Sequence, residues 1–198
     1  MIEQYKALLK SRLSDYRYTH SVCVAQSAVE LAEKYGADKE KAFIAGLLHD
    51  ITKEAEREEH FELFKAAEMS FSELERRNPK LWHAMSGAAY LEVKLGITDT
   101  EILDSVRYHT TARAGMTLLD KVIYIADFIS ADRVYDDVEV VRSLAKKDLD
   151  ETMLYTQTYS INELLHKHSP IHPDSVAAYN NLIMNGIKYN GGEMQNGF

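Results

Sequence analysis

The 198 residues suit one domain with a sizeable core, and 45% hydrophobic against 27% charged side chains exclude a disordered chain. A formal net charge of -8 argues against binding of long nucleic acid, which needs clustered Lys and Arg, but leaves room for a small anion in a local pocket of Arg, Lys and metal. Cys23 is the only cysteine, and no stretch approaches the roughly 20 apolar residues of a membrane span, so an intrachain disulfide and a thiolate zinc site are excluded and a soluble, cytoplasmic protein is expected.

Apolar residues recur mostly at three- and four-residue spacing, strict alternation is scarce, and all three prolines lie beyond residue 78. The pattern predicts an all-α helical bundle, one domain over residues 1–190, with a loose Gly-rich tail over 191–198. The first clear helix runs from about Ser14 to Tyr35, with His20, Val24, Ala28 and Leu31 on one face and Gly36 placed to end it. Asp38 caps a short apolar helix through Leu48 that delivers His49 and Asp50 at its end. Residues 53–80 are charge-rich and read as an outer amphipathic helix with a connecting loop. His83, Gly87, Tyr90 and Leu91 share a face of the next helix, which stops near Gly96, and Asp99 or Thr100 caps another carrying Ile102, Val106 and His109. Leu119, Val122, Ile123, Ala126 and Ile129 mark a strongly periodic helix with Asp127 along its apolar stripe. Residues 137–168 and 173–188 read as two closing helices separated by Ser169-Pro170-Ile171-His172-Pro173.

His20, the pair His49-Asp50, His83, His109 and Asp127 thus come from five predicted helices, each on or at the end of an apolar face. An ionised carboxylate or unpaired imidazole in such a place costs several kcal/mol or more unless a metal or hydrogen bonds compensate it. Imidazole and carboxylate suit Zn, Fe or Mn, and the lack of thiolates favours an open, water-bearing site over a closed structural one. Taken singly, Arg17, Lys53 and Arg133 read as solvated surface charge; their closeness to the cluster favours a role at phosphate instead. His60, His166 and His168 lie in charge-rich surroundings and are expected to be solvated, outside the site. A rival reading is a structural bundle with histidines merely in its core.

The order and spacing of His20, His49-Asp50 and Asp127 resemble the H…HD…D signature of HD-domain phosphohydrolases. The blocks Arg17-Tyr18-Thr19-His20, Ala45-Gly46-Leu47-Leu48-His49-Asp50-Ile51-Thr52-Lys53, His83-Ala84-Met85-Ser86-Gly87, Arg107-Tyr108-His109-Thr110-Thr111 and Tyr124-Ile125-Ala126-Asp127 narrow the resemblance to the YqeK family. Ile171-His172-Pro173-Asp174 resembles that family as well. The resemblance implies an HD-domain helical bundle and an enzyme that splits diadenosine tetraphosphate symmetrically into two ADP through a metal-activated water. The implied cofactor is one or two iron ions, with Mn, Co or Zn as substitutes. His20, His49, Asp50 and Asp127 would hold the primary metal, and Asp50, His83 and His109 a second one if present; otherwise His83 and His109 donate to phosphate. His49, Asp50 and Lys53 would be the catalytic set. Arg17, His20, Lys53, His83, His109, Thr110, Asp127, Arg133 and Ile171 would contact substrate or an ADP- or GDP-like product, with Ile171 lining the nucleobase pocket. Homodimerisation is compatible with the resemblance, although no heptad seam or isolated apolar stripe marks an interface. Two rivals stay open: another HD-type phosphohydrolase acting on nucleoside monophosphates, deoxynucleoside triphosphates or cyclic nucleotides, and a nucleotide-sensing module without turnover.

Overall fold

The computed structural model of the protein describes residues 2–189; the expected tail, 191–198, lies outside the described residues. Eleven α-helices and one short 3-10 turn make up the regular structure, with no strand among the described residues, as the helical spacing predicts. None of the described helices is long and apolar enough to cross a membrane.

The helix α2 (Asp15–Tyr35) starts where Ser14 accepts a hydrogen bond from the Arg17 amide, and stops at Gly36, whose φ of 80° is left-handed and costs glycine little. Asp38 caps α3 (Lys39–Leu48) by accepting from the amides of Glu40 and Lys41. α2 and α3 pack against each other closely enough that a Cβ on Gly46 would lie 2.9 Å from the Ala25 Cα. α8 (Leu118–Ile129) completes the centre: it packs on both, and Val122, Ile123 and Ala126 join Val24, Ala28, Leu47 and Leu48 in the main apolar core. Fully burying each such Leu or Val contributes about 1.5–3 kcal/mol, so the position of the chemical groups borne by these helices is held by packing.

α7 (Thr100–Arg107) leans on this centre and α6 (Trp82–Leu95) packs against α7, α6 ended by Gly96 and α7 capped by Asp99 as their sequence signals predict. His109 lies in the turn beyond α7, not within the helix as its spacing predicts, because the helical run closes at Tyr108, whose amide bonds back to Asp104. The charge-rich stretch forms α4 (Arg57–Ala66) and α5 (Glu73–Arg77), and Phe64, Trp82 and Met85 make a smaller core beneath α4.

Three local differences from the sequence reading have physical causes. An additional helix, α1 (Ile2–Arg12), precedes Ser14; Leu9 alone of its residues is buried, so it carries almost no periodic signal. Residues 137–168 form two helices, α9 (Val138–Ala145) and α10 (Leu149–His166), since Asp148 accepts from the Glu151 amide and begins a fresh helix. The last helix, α11 (Pro173–Met184), ends short of 188, where Asn185 and left-handed Gly186 turn the chain.

Candidate metal centre

The five polar groups of the sequence pattern converge. α2 brings His20, the end of α3 brings His49 with Asp50 just after it, α6 brings His83, the turn after α7 brings His109, and α8 brings Asp127. His20, His49, Asp50, His83 and His109 are all buried; Asp127, 18% exposed, is the open side of the cluster. His20 with His49 and Asp50, His49 with His109 and Asp127, and Asp50 with His83 and His109 each place three ligand atoms within 4.8 Å of one another, the separation a single ion requires.

Proton bookkeeping says what the cluster lacks. A carbonyl oxygen only accepts, so His49 Nδ1 donates to Gly46 O at 2.7 Å and His109 Nδ1 donates to Val106 O at 2.7 Å. With its proton on Nδ1, each ring in its neutral form turns an Nε2 lone pair inward. Asp132 does the same for His20, with Oδ2 2.7 Å from Nδ1. Lys53 Nζ, an obligate donor, lies 2.9 Å from His83 Nε2, so that nitrogen is an acceptor too. The lone pairs of His83 and His109 then face each other at 3.2 Å, with Asp50 Oδ1 3.3 and 3.5 Å away, and that of His20 faces Asp127 Oδ1 at 3.0 Å. His20 Nε2, His49 Nε2 and Asp50 Oδ1 are buried without any hydrogen-bond partner. A ring of inward lone pairs and carboxylate oxygens repels itself; a bound cation relieves it, and the nitrogen-oxygen donor set fits a divalent transition metal.

Electrostatics agree. Burial drives the His49 pKa down to about 4 against the pull of Asp50 and Asp127, keeping the ring neutral and able to ligate. Burial also pushes His83 well down, reinforced by the Lys53 charge. For Asp50 burial acts upward, but His49, His109, Lys53 and His83 outweigh it and hold the carboxyl well below its usual range. Asp127 is held down as well, by His20 and the Arg133 charge acting against burial.

The cationic groups border this cluster. Arg17 Nη1 is 3.7 Å from Asp50 Oδ2, Lys53 Nζ is 3.4 Å from Asp50 Oδ1, and Arg133 binds Asp127 by a side-chain ion pair and by Nε to the backbone oxygen at 2.7 Å. Thr110, beside His109, has a buried hydroxyl oxygen without a partner. Ile171 is half-buried in the segment before α11, which is tied to the His109 turn by Ser175 Oγ donating to Thr111 O at 2.8 Å.

His166 and His168 are exposed, as their surroundings predict. His60 is not: it is 6% exposed, packed against Phe64 and Trp82, with Nδ1 2.6 Å from Ser86 Oγ. Its charged sequence neighbours face outward while aromatic residues from two helices close over the ring. Ser86 in turn lies 2.8 Å from Thr52 Oγ1, which donates to His83 O, so His60 belongs to a buried chain behind the cluster. Asp132, the partner of His20, is the functional residue that the sequence pattern misses; its only local signal is its place five residues after Asp127.

A bundle whose helix ends bring histidines and aspartates to one buried, cation-hungry point defines a class: the HD-domain model matches residues 17–132, and the chain belongs to the HD-domain family. Within that family it is 41% identical over 91% of its length to a Bacillus subtilis protein called symmetrical bis(5'-nucleosyl)-tetraphosphatase, covering 97% of that protein. A Staphylococcus aureus protein of the same description is 33% identical over 90% of this chain and 93% of its own. A solved structure from Clostridium acetobutylicum, described as a predicted HD superfamily hydrolase involved in NAD metabolism, superposes with a TM-score of 0.90 at 34% identity, covering 93% of this chain and 98% of that one.

Proposed function

We propose that the protein hydrolyses diadenosine tetraphosphate at its central bridge to give two ADP, in the cytoplasm, with iron in the cluster and Mn, Co or Zn able to replace it. The observation that carries this reading is the set of inward, unpartnered donors in a chain that matches relatives described as symmetrical tetraphosphatases over nearly its whole length. His20, His49, Asp50 and Asp127 are the residues assigned to the ion, with Asp50, His83 and His109 the donors for a second one. A divalent ion held there supplies Lewis acidity toward a phosphoryl oxygen and lowers the pKa of water toward ~7.

The chain's own residues do the rest. Asp50 and Asp127, kept ionised, are acceptors for the protons of a water entering the cluster. Lys53, with its ammonium beside Asp50 and His83, neutralises charge that builds on the leaving phosphate, and the planar Arg17 and Arg133 clamp the non-reacting oxygens. The Thr110 hydroxyl donates to a phosphate oxygen next to His109, and Ile171 packs on the base of the product ADP. A homodimer belongs to this reading through the family resemblance.

A second reading, hydrolysis of another small nucleotide at the same centre, is favoured by the description of the Clostridium structure as a protein of NAD metabolism. Product chromatography separates the two. Incubated with diadenosine tetraphosphate, the metal-replete protein is expected to yield ADP alone, and a His49→Ala, Asp50→Ala protein none. Intact substrate with metal bound sends the assignment to other nucleotides.

A further inference from the structure

A substrate cut at its centre sends two nucleoside-phosphate arms away from the cluster in different directions. On one side lie Lys53, His83 and His109. On the other side, beyond Asp127, the protein has a cavity of about 480 Å³, walled by Tyr16, Phe128, Tyr135 and Tyr159, with Val134 at its rim. That volume falls in the ordinary range for small-ligand pockets.

Three features give this cavity an occupant. It is continuous with the cluster, because Asp127, Asp132 and Arg133 line it as well. Its path from the cluster is flanked by cations: Arg133 is paired to Asp127 on one side, and Arg17 reaches from Asp50, 3.7 Å away, to the Tyr16 ring, 5.5 Å from its centroid. One wall is a pair of rings held in place, with Tyr135 and Tyr159 5.9 Å apart at 40° and Tyr135 Oη donating to Phe128 O at 3.1 Å, and the Tyr16 ring faces solvent at the mouth. Cations followed by a fixed aromatic slot suit phosphate followed by a planar base.

We propose that this aromatic cavity is the subsite for the second nucleoside of a dinucleoside polyphosphate, stacking its purine base between Tyr16 and the Tyr135–Tyr159 pair while Arg17 and Arg133 hold the phosphates leading to it. The inference rests on the hydrolase reading above and adds to it where the second half of the substrate lies. Stacking on phenol rings reads a π-face and not an edge, so adenine and guanine are accepted alike at this end.

The test compares two ligands on the metal-replete protein by calorimetric titration: diadenosine tetraphosphate with a methylene in place of the central bridging oxygen, and adenosine 5'-tetraphosphate, which carries one base only. Tyr16→Ala, at a residue 62% exposed, and Tyr159→Leu, which keeps the packing bulk, are measured beside the wild type. The preference for the two-base ligand is expected to fall about tenfold in each variant, the size of one lost stacking contact. Equal weakening of both ligands, or no weakening of either, overturns the subsite. Turnover of diadenosine tetraphosphate by the wild type is recorded on the same samples. Normal cleavage with an unchanged preference removes the subsite alone, whereas a wild type that neither binds nor cleaves it removes the hydrolase reading and the subsite together.

Discussion

Asp132 decides which nitrogen of His20 faces inward. Its carboxylate takes the Nδ1 proton at 2.7 Å and leaves the Nε2 lone pair toward Asp127. Outer partners of this kind typically change metal affinity or activity by 10–100-fold. Asp132→Ala is therefore expected to weaken metal binding by roughly tenfold or more while helix content stays unchanged, and Asp132→Asn, whose amide oxygen can still accept, to restore part of it; titration with metal and a competing chelator reads both. The buried imidazoles also set a pH dependence. Unfolded histidines titrate near 6.5, while His49 is pushed to about 4 and His83 also lies well below its usual value. Between those limits the unfolded chain binds more protons, so stability of the metal-free protein is fully present above about pH 6.5 and is lost as pH falls toward 4. His20 acts oppositely, raised because the neighbouring carboxylates of Asp127 and Asp132 favour its protonated form more than burial opposes it, so its share is lost as pH rises through its folded value; the downward shifts of His49, His83 and His60 outnumber it. Melting temperature of the stripped protein should climb from pH 4 to 6.5, and a flat or falling profile would refute this account.

At the scale of elements, the α2–α3 contact fixes where His20 and His49 meet. Gly46 sits at its closest point, where an added Cβ would fall 2.9 Å from Ala25 Cα and 3.2 Å from both Ala25 N and Ala28 Cβ. Backbone cannot swing aside as a long side chain can. Gly46→Ala is expected to cost about 1–3 kcal/mol in urea denaturation, against the small gain that alanine brings to an unstrained helix. The central helices were legible in the sequence because their limits are chemical: Ser14, Asp38 and Asp99 cap, Gly36 and Gly96 stop. Where the determinant was a partner distant in the chain, local reading failed. His60 is buried by Trp82 and Ser86, and Asp132 meets His20 across 112 residues; neither contact leaves a periodic trace. The break between α9 and α10 is a different case, since Asp148 was present as a cap and was masked by apolar spacing on both sides.

For the molecule as a whole, no single helix carries the chemistry. Four helices and one turn each bring one or two groups to a point that their packing alone would leave electrostatically unfavourable, and a cation bound there would relieve this and link the helices together. The six residues His20, His49, Asp50, His83, His109 and Asp127 were legible because each is a polar group on a face that otherwise reads as core. The direction in which a substrate leaves that point was not, since the cavity beyond Asp127 joins Tyr16 to Tyr135 and Tyr159 from three separate segments. The central claim, that water is added across the middle of a four-phosphate bridge at this cluster, is tested most directly by running the reaction in 18O-labelled water and analysing the products by mass spectrometry. The account predicts ADP as the sole nucleotide, with one labelled oxygen for every two ADP formed. AMP together with ATP, or ADP without label, would contradict it.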